Sequence, residues 1–179
     1  MKYYDMWILK KPVVIFILVI CLVLPVACSS GTYKNNVYED KHNVYQVMSP
    51  GKGWKRIATK DADLAFWNSK IAAFIMVNST CDGYKDAPLE SLSNHLFFGI
   101  EKKEFIQQKR VMLDGRQAVY SEVTGLLDGA RVRVSAYTMV KNYCTYDISY
   151  SAPTKIYGKG LKAFEKVMER FRVIKRKRK

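Results

Sequence analysis

The chain predicts an α+β fold: an antiparallel sheet flanked by helices, an αβα sandwich. Three observations carry this. Period-two apolar runs follow one another from Lys109 to Ala152, two Asp-Gly pairs divide those runs where tight turns are needed, and an apolar stripe of helical spacing lies on either side of them. A charge-free apolar leader stands ahead of the whole arrangement.

The leader runs from Pro12 to Cys28, directly after Lys10 and Lys11, and holds no charged or hydroxylated residue. Pro12 to Ala27 is 16 residues, about 24 Å of helix at roughly 1.5 Å per residue, against a hydrocarbon core of about 30 Å. Lengthening it through Met6–Leu9 would drag both lysines into the apolar zone at roughly 2.5 to 3.5 kcal/mol each. The pattern is therefore that of an export signal, with Lys2, Lys10 and Lys11 as its cationic start and small Ala27 at its end.

Leu24-Pro-Val-Ala-Cys28 resembles the lipobox of bacterial lipoproteins, in which a small residue precedes the modified cysteine. Pro25 stands where that motif usually has an aliphatic residue, with Leu24 one step early. The resemblance implies that residues 1–27 are a lipoprotein signal peptide and that Cys28 becomes a lipidated N-terminus, held to the membrane by several acyl chains acting together. Ser29 and Ser30 follow, not the aspartate that retains such proteins at the inner membrane. This implies an outer-membrane anchor with the domain facing the periplasm. Inner-membrane anchoring and an uncleaved span stay open as alternatives.

The full chain carries a net charge of +14, and loss of residues 1–27 leaves +12 on 152 residues, the size of one domain. With Cys21 removed and Cys28 lipidated, two cysteines remain. In an oxidising compartment Cys81 and Cys144 read as one disulfide. A redox pair is the alternative, without Cys-x-x-Cys spacing to support it.

Residues 28–43 have no apolar period and read as a lipidated N-terminus and tether that lets the domain stand clear of the headgroups; the domain itself reads as 44–174. Val44–Met48, the turn Ser49–Gly53 and Trp54–Ala58 read as an opening hairpin. Asp61 and Asp63 read as solvent-facing turn residues, since two carboxylates alone make a poor metal site. Leu64–Trp67 and Ile71–Val77 read as strands, the second apolar enough to be covered on both faces. Asn78-Ser79-Thr80 fits the N-glycosylation pattern, a chance match in a bacterial lipoprotein.

Asp86–Gln108 reads as a helix, opened by Asp86 and Pro88 and striped by Leu89, Leu92, Leu96 and Ile100. His95 sits beside that stripe and reads as a boundary residue, not a ligand or base. Then come strands Lys109–Leu113, Arg116–Leu127, Ala130–Lys141 and Tyr143–Ala152, with turns at Asp114-Gly115 and Asp128-Gly129. A two-residue turn at 128–129 sets Thr124 opposite Arg133 and Glu122 one diagonal step from it, with Val123, Val132, Val134 and Ala136 on the other face. Leu161, Phe164, Met168 and Phe171 space a closing helix whose wet side bears Lys162, Glu165, Lys166 and Glu169.

The basic C-terminal tail, Lys175, Arg176, Lys177, Arg178 and Lys179, reads as a weak site for an anionic partner outside the cytoplasm: lipid, lipopolysaccharide or an acidic protein. A solvated solubility tail is equally open, and no nucleic-acid partner is expected. No Gly-x-Ser-x-Gly elbow, Cys-x-x-Cys pair or histidine cluster is present, so no enzyme, cofactor or metal is expected.

The element order from Val44 to Ile174, with its Pro50-Gly-Lys-Gly-Trp54 opening, resembles the PsbP-like fold and DcrB-type bacterial lipoproteins. What the resemblance implies is an antiparallel sheet between helices and non-enzymatic docking to partners, as in members that serve photosystem assembly or bind Ran. It implies no catalytic residue. The functional expectation is a membrane-anchored extracytoplasmic lipoprotein acting as a binding or assembly module in the cell envelope, with an envelope protein or anionic lipid as partner. The alternative is a periplasmic carrier of an apolar or lipid ligand, suggested by Phe66, Trp67, Met76, Phe97 and Tyr120.

Overall fold

The computed structural model describes residues 31–81 and 87–174. The leader, Cys28, the Asp86 helix start and Lys175–Lys179 lie outside the described residues. Along the chain the strands are β1 (Thr32–Lys34), β2 (Val37–Glu39), β3 (Val44–Gln46), β4 (Lys55–Ile57), β5 (Leu64–Asn68), β6 (Ala73–Thr80), β7 (Glu101–Leu113), β8 (Arg116–Leu127), β9 (Ala130–Lys141), β10 (Cys144–Pro153) and β11 (Arg172–Ile174). Helix α1 (Leu89–His95) falls between β6 and β7, and α2 (Gly158–Glu169) between β10 and β11.

The large sheet is antiparallel throughout, in the order β4-β5-β6-β10-β9-β8-β7. Its meander is driven by the two Asp-Gly turns. Asp114 and Gly115 have φ of 48° and 71°, Asp128 and Gly129 of 49° and 77°, the doubly left-handed turn whose twist matches that of the strands it joins. The register follows, with Thr124 opposite Arg133 and Val123 opposite Val134.

One face of the sheet carries Tyr146, Ile148 and Tyr150 of β10 with Ile75 and Val77 of β6, all buried. Phe164, Val167 and Met168 of α2, with Phe171 just beyond it, cover this face and form the main core. Helix α2 comes close because Gly160 lies against Tyr150, where a Cβ would meet the hydroxyl at 2.6 Å. The opposite face is covered at one end by α1, whose Ser93 meets Ser121 at 2.9 Å, and by Phe97, which packs on Val123 and Ala136.

A second sheet, β1-β2-β3-β11, closes over the main core through Tyr38 and Tyr45. Its strands are three residues each, and its registers align Thr32, Glu39, Val44 and Ile174 in a single row across one end.

Four expectations are corrected. The tether assigned to 28–43 is a folded hairpin from Thr32 to Glu39, turned by Asn35 and Asn36 at φ 52° and 62°; Tyr38, 4% exposed and stacked 4.8 Å from Tyr45, pins it to the core. Val44–Met48 and Trp54–Ala58 do not pair with each other, because β3 joins the small sheet and β4 the large one. Strand β6 is covered on one face only: Ile75 and Val77 are buried while Phe74 is 36% exposed. The helix read over 86–108 stops at His95, and the chain re-enters as β7 at Glu101. Strand β7 is exposed along almost its whole length and bulges at Glu101/Glu104 and Phe105/Gln107. Gly125 permits that start, because a Cβ there would meet the carbonyl oxygen of Glu101 at 2.6 Å.

Candidate functional site

Where the small sheet meets the large one, three segments converge on a polar cleft: the β2–β3 loop, the β4–β5 loop and the far end of β6. The cleft has two lobes of about 230 and 570 Å3 that share Asp40, His42 and Asn78. The β2–β3 loop is held by Asp40, whose carboxylate accepts the backbone N–H of His42 at 2.7 Å and of Asn43 at 2.8 Å. This is the local turn that aspartate favours in loops.

Asn43 is buried. Its Nδ2 donates to Ser79 Oγ at 2.9 Å and lies 3.3 Å from each oxygen of Asp40, while its Oδ1 has no hydrogen-bond partner. Across the cleft Asp63 Oδ2 accepts from the Tyr45 hydroxyl at 3.0 Å and from the Ser79 hydroxyl. Burial pushes the Asp63 carboxyl above the usual carboxylate range and the nearby charge of Asp40 adds to this, against the opposing hydrogen bonds from Ser79 and Tyr45. Burial, with Asp63 close by, raises the hydroxyls of Tyr38 and Tyr45 in turn.

Chemically the cleft is rich in acceptors. The Ser79 and Tyr45 hydroxyls both donate to Asp63, so one carboxylate oxygen is shared between two hydroxyls. The carboxylates of Asp40, Asp61 and Asp63 suit N–H donors, and Lys41 and Lys60 line the larger lobe beside them. Among the described residues no cluster of three His, Cys, Asp or Glu side chains could hold a metal ion.

The structure joins Cys81 to Cys144 in a disulfide, and Cys81 also lines the smaller lobe. Of the Asp61–Asp63 pair, Asp61 is exposed and turned back on Thr59 as read, but Asp63 is half-buried and belongs to the cleft. His95 is exposed in the last turn of α1, well apart in sequence from the cleft residues. Glu122 and Arg133 do pair, on the α2 side of the sheet. Glu122 is 4% exposed and also accepts from Gln107 at 3.0 Å and Tyr120 at 3.1 Å, and the Arg133 guanidinium lies 4.7 Å from the Tyr157 ring centroid.

The five residues offered for an apolar ligand do not surround one cavity. Phe66 and Tyr120 share the face under α2, Trp67, Met76 and Phe97 lie on the other, and each aromatic ring already packs on another. Asp40, Asn43 and Tyr45 were not singled out by sequence reasoning, and Ser79 entered it only within the Asn78-Ser79-Thr80 glycosylation pattern. Their one local signal is Asp40 three residues before Asn43, ahead of a strand.

No protein-family model and no curated protein matches the chain. Solved structures do. Cyanobacterial PsbP (CyanoP) from Synechocystis is 13% identical with a TM-score of 0.53, over 84% of this chain and 96% of that one. LpqN of Mycobacterium tuberculosis, described as involved in cell envelope biogenesis, is 9% identical with a TM-score of 0.58, over 81% and 90%. A protein of unknown function from Pseudomonas aeruginosa is 9% identical with a TM-score of 0.51, over 79% and 97%. At such identities the likeness speaks for architecture: an α+β chain with a PsbP-like fold.

Proposed function

We propose that this chain is an extracytoplasmic lipoprotein, anchored at Cys28 to the outer membrane and facing the periplasm, that acts as a non-enzymatic binding or assembly module in the cell envelope. The observation that carries the binding role is the cleft between Asp40 and Asp63. It forms where two loops meet the end of β6, and its carboxylates match a lysine, arginine or amide-rich segment of a protein partner. The compartment is supported by the apolar leader ahead of Cys28 and by the Cys81–Cys144 bridge, which an oxidising environment maintains. LpqN, whose fold is similar, is described as involved in cell envelope biogenesis.

The test is site-specific photo-crosslinking from the membrane-anchored chain, with the crosslinker at exposed Asp61 on the cleft rim and a control at exposed Tyr143. The expected result is a discrete protein adduct from position 61 alone, lost when Asp63→Asn and Asp40→Asn are combined. Adducts that survive both substitutions, or that appear equally from position 143, overturn the assignment of the cleft. Intact mass showing residues 1–27 retained and no acyl group at Cys28 overturns the lipoprotein.

A further inference from the structure

Strand β7 is the last strand of the large sheet and pairs with β8 alone, so its outer side is open. Edge strands are commonly guarded by bulges, by short length or by charges that stand out over the edge. The first half of β7 is guarded in this way, with bulges at Glu101/Glu104 and Phe105/Gln107. The second half is not. From Gln107 to Leu113 the register against β8 is unbroken, and Met112 is 69% exposed at the rim.

The turn fixes which main-chain groups face outward. In a two-residue hairpin the pair flanking the turn exchanges both hydrogen bonds, here Leu113 and Arg116 around Asp114-Gly115. Alternation then sends the main-chain N–H and C=O of Val111, Lys109 and Gln107 inward to β8, and those of Met112, Arg110 and Gln108 outward. The side chains that would guard this stretch are folded back over the sheet's own faces. Arg110 donates to both carboxylate oxygens of Glu90 in α1, at 2.7 and 3.2 Å, Gln108 bonds Asn94 and Ser121, and Lys109 lies 5.7 Å from the Tyr120 ring centroid. An approaching segment therefore meets main chain.

We infer that Gln107–Leu113 of β7 binds an extended, acidic segment of a partner polypeptide as an added antiparallel strand, with apolar side chains beside Met112 and carboxylates beside Lys109. The main-chain groups supply the attachment, as in other partners that extend a sheet at its edge. The acidic character follows from charge. Lys109 and exposed Arg116 share the α2 side of the sheet, and neither meets a carboxylate among the described residues. The acidic groups that flank this stretch are already engaged: Glu90 by Arg110, Asp114 by Lys141 and the Val173 N–H, and Glu122 by Arg133. A second copy fits less well, because full overlap of Gln107–Leu113 about a two-fold axis sets Arg110 opposite Arg110 on two strongly basic chains. Strand β7 lies at the opposite edge of the large sheet from β4 and β5, whose loop builds the cleft, so this surface is independent of that one.

The experiment follows the fluorescence anisotropy of labelled heptapeptides with blocked ends as the full chain, in neutral detergent micelles, is added. One peptide alternates valine with glutamate, beginning and ending on valine, and a second carries lysine in place of glutamate. The glutamate peptide is expected to bind saturably and at least about tenfold more tightly than the lysine peptide. In the antiparallel pairing its valines lie directly opposite Gln108, Arg110 and Met112 and exchange the hydrogen bonds. N-methylation of the valines should therefore abolish binding, while N-methylation of the glutamates should change it by about threefold or less. Met112→Pro removes one outward N–H without touching the ladder to β8 and should weaken binding at least about tenfold, whereas Met112→Ala, which keeps that N–H, should weaken it by about threefold or less. Lys109→Glu should weaken the glutamate peptide about fivefold. The methylated peptides probe the parent chain, so the result does not hang on Met112→Pro folding. No saturable binding of the glutamate peptide up to about 1 mM, or equal binding of its two methylated forms, overturns the added strand. Equal affinity for the glutamate and lysine peptides overturns the acidic partner. A concentration-dependent dimer abolished by Met112→Pro, with no peptide bound, overturns it in favour of a second copy.

Discussion

The Asp114 carboxylate accepts the backbone N–H of Val173 at 2.8 Å, across 59 residues of sequence. The same oxygen takes Lys141 Nζ at 2.6 Å, so the tip of the β7–β8 hairpin is latched both to β9 and to the last strand of the small sheet. Asp114 also holds φ 48° for its turn. Replacing it with Ala removes two bonds involving a charged group and strains a left-handed position, and the expected cost is about 2 to 4 kcal/mol. Asp114→Asn, which tolerates the turn, should lose roughly half as much. Denaturant unfolding measures both. A loss below about 0.5 kcal/mol for the Ala variant, the scale of an ordinary surface change, would show that the latch is not formed in solution.

The Cys81–Cys144 bridge closes a loop of 63 residues and ties the end of β6 to the start of β10. On the chain-entropy account, reduction or a double change to Ser should cost about 4 kcal/mol. The transition midpoint with and without reductant reads this, and the double Ser variant should show no further response to reductant.

Asp147 lies on the face away from α2, where its carboxylate accepts from Thr138 Oγ1 at 2.8 Å. Burial pushes its carboxyl up to about 6, against the opposing hydrogen bond from Thr138. An unfolded Asp titrates near 3.9, so between those values the folded chain binds the extra proton. Stability from this group is therefore full below about pH 4 and lost as pH rises through about 6. Asp147→Asn, neutral at every pH, should raise stability at pH 7 by about 1 to 3 kcal/mol and flatten that slope. Parallel stability–pH curves for the parent and the variant would contradict it.

Glu122 and Arg133 form an ion pair buried on the carboxylate side, with side-chain exposures of 6% and 34%. Glu122→Ala leaves the guanidinium, Tyr120 and Gln107 without their shared acceptor, at an expected cost of about 3 to 5 kcal/mol. Glu122→Gln keeps an acceptor and should cost less. The double change with Arg133→Met should recover part of the Ala loss, because it removes the stranded cation. A double-mutant cycle by thermal unfolding checks the sign.

The meander was legible because its signals are local. Asp-Gly pairs at 114–115 and 128–129 can be read without knowing what they pack on, and β8 and β9 begin and end where the alternation does. Strand β7 was not legible. It is an edge strand exposed from Glu101 to Arg110, so no buried face imposes period two, and its Lys, Glu and Gln residues favour helix when packing does not decide. The Thr32–Glu39 hairpin hid for a related reason. A three-residue strand with one buried Tyr has no periodicity, and Asn35-Asn36 reads as linker until both φ values are known. The cleft was the least visible of all. Asp40, Asp63 and Ser79 come from three separate segments and meet only because the small sheet folds onto the large one, a juxtaposition that no spacing in the chain encodes.

Strand β11 pairs with β3 across about 130 residues, Ile174 lying beside Val44. Synthesis from the N-terminus therefore delivers the β1–β3 ribbon first, and that ribbon gains its fourth member only when β11 follows at Arg172–Ile174. During that interval Tyr45 lacks Phe171, the ring that later lies 5.9 Å away, and its aromatic surface stays open to solvent. Closure of the small sheet is thus a late event in the making of this chain, with Thr32 to Gln46 the stretch that waits longest for its last neighbour.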